Sequence, residues 1–322
     1  MKQRGLIVLL ALVVAGCSTG NNNSGTPQAS PSSASSETPP ASVVETQPPS
    51  ATPSASATPE PSESAQAVLN TEGLNALFGF ADETGTKLMA LTDGIEPGEA
   101  ENIDLEGYKL AIGEGGGQVL SIRYTKHQDR SEQDNGRQSM YNFDNMAGDI
   151  YAIEAGKATP NESYFLVSPE QFDIDALIPL KPSADLALPD DVAKKIAEEK
   201  ERAIKQGWLL AHAQDGQRIY VVQFERQGEN MLASLVWQEG ERLLFMDYPA
   251  TYDQNSAWRV DDGGEISADM FRFLFAARSE DDGIVLGVQW MGAEGENLNI
   301  LSSSGDRFEK TEISGGRYLS PI

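Results

Sequence analysis

Two stretches of this chain concentrate the side chains that could do chemistry. Residues 126–145 hold Asp129, Glu132, Asp134 and Asp144 beside Tyr141 and Phe143. Residues 248–265 hold Tyr248, Tyr252, Asp253, Trp258, Arg259, Asp261, Asp262 and Glu265. Asp and Glu can serve as general acid and base without help, and a carboxyl pair about 5–10 Å apart is the arrangement that hydrolyses glycosides. Aromatic faces flanked by carboxylates also suit sugars, or cationic groups on a peptide. Both stretches are longer than a connection requires, and long loops in compact domains often carry function. The second has three large aromatics among its acids, so Tyr252, Asp253, Trp258, Arg259, Asp261 and Asp262 form the candidate ligand-binding set. The plainer alternative is that Trp258 and the tyrosines fold back as a small core under the loop.

Other chemistries find no support. The histidines are His127 and His212, and His212 sits in the apolar run Leu209-Leu210-Ala211-His212-Ala213, where a structural role is expected. No HExxH, GxSxG, phosphate-binding Gly-Lys-Ser/Thr loop or helix-opening GxGxxG occurs. Gly113-Glu114-Gly115-Gly116-Gly117 precedes no helix that could present N–H groups to a phosphate, and reads as a flexible turn. Clustered carboxylates suit calcium, but the EF-hand pattern fails; Asp262-Gly263, for example, has Val260 where a ligand is required. No catalytic residue, metal or cofactor is therefore expected.

The lone cysteine, Cys17, has a different use. Lys2 and Arg4 precede an apolar run, Leu6–Val14, that is too short for a permanent membrane span. Ala15-Gly16 and then Cys17 follow it. Val14-Ala15-Gly16-Cys17 resembles the lipobox of bacterial lipoproteins, with Val14 where leucine is commonest. The resemblance covers roughly the first 20 residues. It implies that Cys17 is diacylated, that residues 1–16 are removed as a signal peptide, and that the new N-terminus is acylated too. Each buried CH₂ of such chains contributes about 0.8 kcal/mol, so two or three chains anchor a protein durably. The implied location is the extracytoplasmic face of a membrane, including an outer membrane where one exists, since Ser18 rather than Asp follows the cysteine.

From Cys17 to Gln66 the chain reads as a tether. Beyond the cysteine it is rich in Ser, Thr, Pro and Ala and has no aromatic residue, Lys or Arg. Such a composition cannot offset its ordering entropy by burial, so disorder is expected. In polyproline II, at about 3.1 Å per residue, it would reach on the order of 150 Å. The net charge of −25 argues against nucleic acid and against lying flat on anionic lipid, and is compatible with cationic partners.

The folded part has to position the candidates. Residues 67–188 read as a β-rich first half, with strands over 77–81, 87–91, 108–112, 118–124, 149–153 and 164–167. Residues 189–322 read as a helix followed by two β-meanders. The helix is expected near 189–206, with Pro189 at its first position, Val192, Ile196, Ala203 and Ile204 as its apolar stripe, Glu198–Arg202 and Glu201–Lys205 as ion pairs, and Gly207 as its stop. The meanders are expected over 208–213, 218–224, 231–237 and 242–247, then over 270–277, 284–290, 298–302 and 308–313. Their turns, Asp215-Gly216 and Asp282-Gly283, Gly228 and Gly295, Gly240 and Gly305, are offset by 67, 67 and 65, which suggests a repeated four-stranded unit. Asp-Gly between alternating runs predicts a turn with positive φ at both central residues. The fold class is mainly β, antiparallel meanders with one surface helix, and either propeller-like or two-sheet sandwich packing satisfies the pattern.

These readings converge on a membrane-anchored extracytoplasmic lipoprotein. Its β-rich domain would be a non-catalytic binding or interaction module, engaging an envelope protein or wall glycan. The alternative is a carboxylate-dependent hydrolase of wall or extracellular polysaccharide.

Overall fold

The computed structural model describes residues 67–92, 103–252, 266–292 and 294–319. Cys17 and the tether lie outside them. The first six strands are β1 (Ala76–Ala81), β2 (Lys87–Ala90), β3 (Leu110–Gly113), β4 (Gln118–Gln128), β5 (Gly148–Ile153) and β6 (Ser163–Val167). They close a barrel in the order β1-β2-β5-β4-β3-β6, with Ala76 of β1 facing Val167 of β6 across the closing pair. Alternation explains why β6 is buried along its whole length. Tyr164 and Leu166 fill the barrel with Leu88, Ala111, Ile122 and Tyr151, while Phe165 and Val167 point outward and are buried as well.

The remaining strands share one sheet. They are β7 (Leu180–Pro182), β8 (Ile204–Ala213), β9 (Arg218–Phe224), β10 (Asn230–Glu239), β11 (Arg242–Thr251), β12 (Phe271–Ser279), β13 (Gly283–Met291), β14 (Gly295–Ser304) and β15 (Arg307–Tyr318). The order is β12-β13-β14-β15-β11-β10-β9-β8-β7. The two meanders, β8–β11 and β12–β15, meet at their last strands, where Phe245 and Arg307 pair in parallel. The protein is thus mainly β and built of antiparallel meanders. A closed barrel beside one long sheet is how the question between propeller and sandwich resolves.

The repeat carries through to the strands. β8 and β12 begin 67 residues apart, β9 and β13 end 67 apart, and the starts of β10 and β14, and of β11 and β15, are offset by 65. Each meander buries both faces. The inner faces share a core in which Ile219, Leu235, Trp237 and Leu244 meet Ile284, Leu286, Val288 and Leu301. The outer face of the first meander is covered by a helix, α1 (Asp190–Glu199), through Val192 and Ile196 against Tyr220, Val222 and Phe224. The outer face of the second is covered by the barrel, with Phe165 5.0 Å from Phe275 between ring centroids. Each such buried aromatic or aliphatic side chain contributes about 1.5–3 kcal/mol.

Local details differ from expectation for identifiable reasons. α1 is shorter than 189–206: Pro189 stands at the N-cap, and the helix ends at Glu199. Glu201 takes a positive φ of 47° and turns the chain into β8, so Ala203 and Gly207 are not helical. Ile204 fitted the 3.6-residue stripe but belongs to a strand, because two apolar positions suit either period. Arg202 donates to the carbonyls of Glu225 and Asn230, and Lys194 pairs with Glu198 at 3.8 Å. At the Asp215-Gly216 turn only Gly216 has positive φ, and in the second meander Asp281 and Asp282 take it, one residue ahead of Gly283.

Candidate functional site

The sheet would close on itself but for one seam. Its outer strands are β7 and β12, and the segment before β7 links them: Ile178 N–H donates to Ala276 O at 2.8 Å, and Leu177 faces Ala277. Pro179 then intervenes, and β7 turns to pair with β8, Leu180 opposite Ala213 and Pro182 opposite Ala211. β12 runs the other way along β13. The two edges part, and a wedge from the barrel enters between them. Gly115 lies against Leu180 and Gly116 against Phe275, at φ +69° and +81°. A Cβ on Gly115 would stand 2.8 Å from Leu180 O, so glycine is required there both for conformation and for space. The Gly113–Gly117 run is therefore a packed wedge where a flexible turn was expected.

Beyond the wedge the seam opens into a cleft of about 570 Å³. Its walls are Leu180, Pro182, Leu210, Phe271, Phe273 and Leu274, and its rim carries Glu114, Glu162, Lys181 and Arg272. A concave apolar site with a few convergent polar groups is the usual form of a binding pocket. Arg272 Nη1 lies 2.8 Å from Glu162 Oε1, and Glu114 accepts from the Thr159 hydroxyl. Lys181 is exposed at the mouth. Beneath the rim, burial pushes Tyr164 up to about 12, so its hydroxyl stays protonated and donates to Gln118.

The expected loops are placed differently. Tyr248 belongs to β11 and is buried, edge-on to Trp290 at 5.0 Å and beside Phe271, so it serves the core. Tyr252 is exposed, with the Arg226 guanidinium 3.8 Å from its ring centroid, and it does not line the cleft. Asp253, Trp258, Arg259, Asp261, Asp262 and Glu265 lie outside the described residues. The 126–145 stretch begins within β4 and continues as a cap on the barrel. Phe143 packs edge-on against Phe80 at 5.6 Å, and only Tyr141 among its aromatics is exposed. Asp134 is held below the usual carboxylate range first by the Asn142 amide, with the Gly136 N–H and Arg130 adding to it.

His127, read only as one of two histidines, forms a contact that sequence could not show. Its Nδ1 lies 3.1 Å from Asp149 Oδ1, and the buried Asp149 also accepts from Thr92 Oγ1 at 2.6 Å. His212 is exposed on β8, opposite Arg218 and Lys181. Among the described residues no group of three or more His, Cys, Asp and Glu is placed to hold a metal, and no helix is long and apolar enough to cross a membrane.

The cleft residues were missed because nothing in their spacing joins them. Glu114, Glu162, Lys181 and Arg272 come from separate strands and turns, and only the docking of barrel on sheet brings them together. Pro179 just before a three-residue strand and Pro182 at its end were the available signal, since proline marks where a ladder must break. Comparison with protein-family models, with characterised proteins and with solved structures finds no match.

Proposed function

We propose that this chain is a lipid-anchored protein of the extracytoplasmic envelope whose β domain is a binding module. Cys17 holds it to the membrane, residues 18–66 let the domain stand off the surface, and the domain engages an envelope protein or wall glycan. The observation that carries the binding role is the cleft at the β7/β12 seam. Its walls are apolar, and its two rim carboxylates are already engaged by Thr159 and Arg272. That arrangement favours recognition over acid–base turnover, where one carboxyl must be free to give up a proton and the other to take one.

Thermal melting of the full-length acylated chain in detergent micelles tests the reading. The panel is calcium, wall fragments, oligosaccharides and peptides from envelope proteins. A ligand at 100 times its Kd adds about 2.7 kcal/mol, a readable shift. Loss of that shift in Phe273→Lys assigns the cleft. Loss in Trp258→Ala and Asp262→Ala, with Phe273→Lys unaffected, assigns the aromatic-acidic loop instead. A flat panel defeats the binding reading for these ligand classes, and turnover of a bound glycan replaces it with the hydrolase.

A further inference from the structure

We propose that the cleft takes an extended peptide, neutral or basic, added as a strand to the free edge of β12. This rests on the binding reading above and names the chemistry of the partner. Among the described strands, β12 pairs with β13 along one edge. On its other edge the chain itself already supplies extended segments: Leu69 N–H donates to Arg278 O at 2.7 Å, and Ile178 N–H donates to Ala276 O. That line of pairing stops at Ala276. Pro179, the next residue of the covering segment, has no N–H to give, and the segment leaves for β8.

The Phe271 N–H is taken by Ala268 O. From Arg272 to Phe275, among the described residues, no main-chain group bonds across this edge. Gly116 packs against Phe275, which leaves Phe271–Leu274 facing the cleft. At about 3.3 Å per residue, four edge residues span about 13 Å. A strand edge with unmet N–H and C=O groups is a template for another strand. A lipid tail or a sugar ring does not present donors and acceptors at that repeat; a peptide backbone does. Phe271 and Phe273, two residues apart, belong to the same apolar cluster and both line the cleft, with Leu180 and Leu210 among the other walls. An incoming strand with apolar side chains at alternate positions therefore matches both the backbone and the walls. The net charge of −25 attracts a neutral or basic segment and repels an acidic one.

The test uses octapeptides displayed on phage, selected on the full-length acylated chain in detergent micelles, then synthesised with single N-methylated amides. N-methylation at alternate positions should weaken binding tenfold or more, and at intervening positions less than twofold. Amide exchange at 272–274 should slow when the peptide is bound. Phe273→Ala should weaken binding at least fivefold, with Phe273→Leu as the milder replacement if the alanine variant melts early. Selection that returns no binder, binding without the alternating dependence, unchanged exchange, or a preference for acidic peptides each overturns the proposal. A glycan or wall fragment whose melting shift still depends on Phe273 would keep the cleft as a binding site while removing the peptide. Loss of any Phe273-dependent binding would remove the cleft itself.

Discussion

Arg317 and Glu296 face each other at 2.6 Å, Nε to Oε1, almost wholly buried where barrel meets sheet. Arg317 also donates to Asn161 O at 2.8 Å and lies 4.8 Å from the centroid of the Phe80 ring, while Glu296 accepts from Ser163 and Gln289. Strands β1, β6, β13, β14 and β15 thus contribute to one polar knot. Removing one partner strands a charge in the interior, so Arg317→Met alone should cost about 3–5 kcal/mol. Chemical denaturation of Arg317→Met, Glu296→Leu and the double variant would check this. The double variant should recover much of the loss, because no charge is then left uncompensated; equal losses in all three would show that packing matters more than charge.

A second pair gives the domain a pH dependence. Arg278 holds Glu239 below the usual carboxylate range, with Gln217 assisting, and the two are linked at 2.6 and 3.0 Å. A carboxylate whose pKa falls on folding stabilises the native state above its unfolded pKa and loses that contribution as pH falls through the folded value. The melting temperature of Glu239→Gln should therefore lie below that of the native chain at pH 7. The gap should narrow as pH drops below about 4.5. Partial exposure of both groups keeps the effect to about 1 kcal/mol. A gap independent of pH from 7 to 3 would count against the assignment.

The Gly115 wedge predicts a backbone defect. Gly115→Ala should destabilise by about 1–3 kcal/mol, because positive φ strains alanine and its Cβ would press on Leu180. Gly216→Ala tests the conformational part alone, since Gly216 also has positive φ (+90°) but open space around it. Calorimetry should show the larger loss at Gly115.

Membrane attachment is expected to depend on one atom. Cys17→Ser should abolish incorporation of labelled palmitate and move the protein from the membrane to the soluble fraction. Membrane retention without label would mean that residues 1–16 persist as the anchor.

The sequence alone located every long strand, because alternation of apolar side chains is a local signal. Yet β4, β8, β11 and β15 run four or five residues past their expected bounds, where burial thins and the alternation fades. The offset between the meanders was legible for the same reason: turn residues mark the ends of alternating runs. The end of α1 was not, since Ala203 and Ile204 suit helix and strand equally, and the pairing of β8 with β9 decides between them. The short β7 was also hidden, because three residues carry no period.

The candidate site shows the limit more clearly. Tyr248 belongs to a dense aromatic-acidic stretch in sequence, yet tertiary packing buries it against Trp290. Lys181 and Arg272 sit in stretches with no motif, yet both border the cleft. Local chemistry determined the strand and turn signals, each readable within about 20 residues. Only the tertiary structure decided that the first half closes as a barrel, that it covers one meander as α1 covers the other, and that the sheet stays open at one seam. Those outcomes depend on which buried faces meet, a long-range choice that no local periodicity encodes.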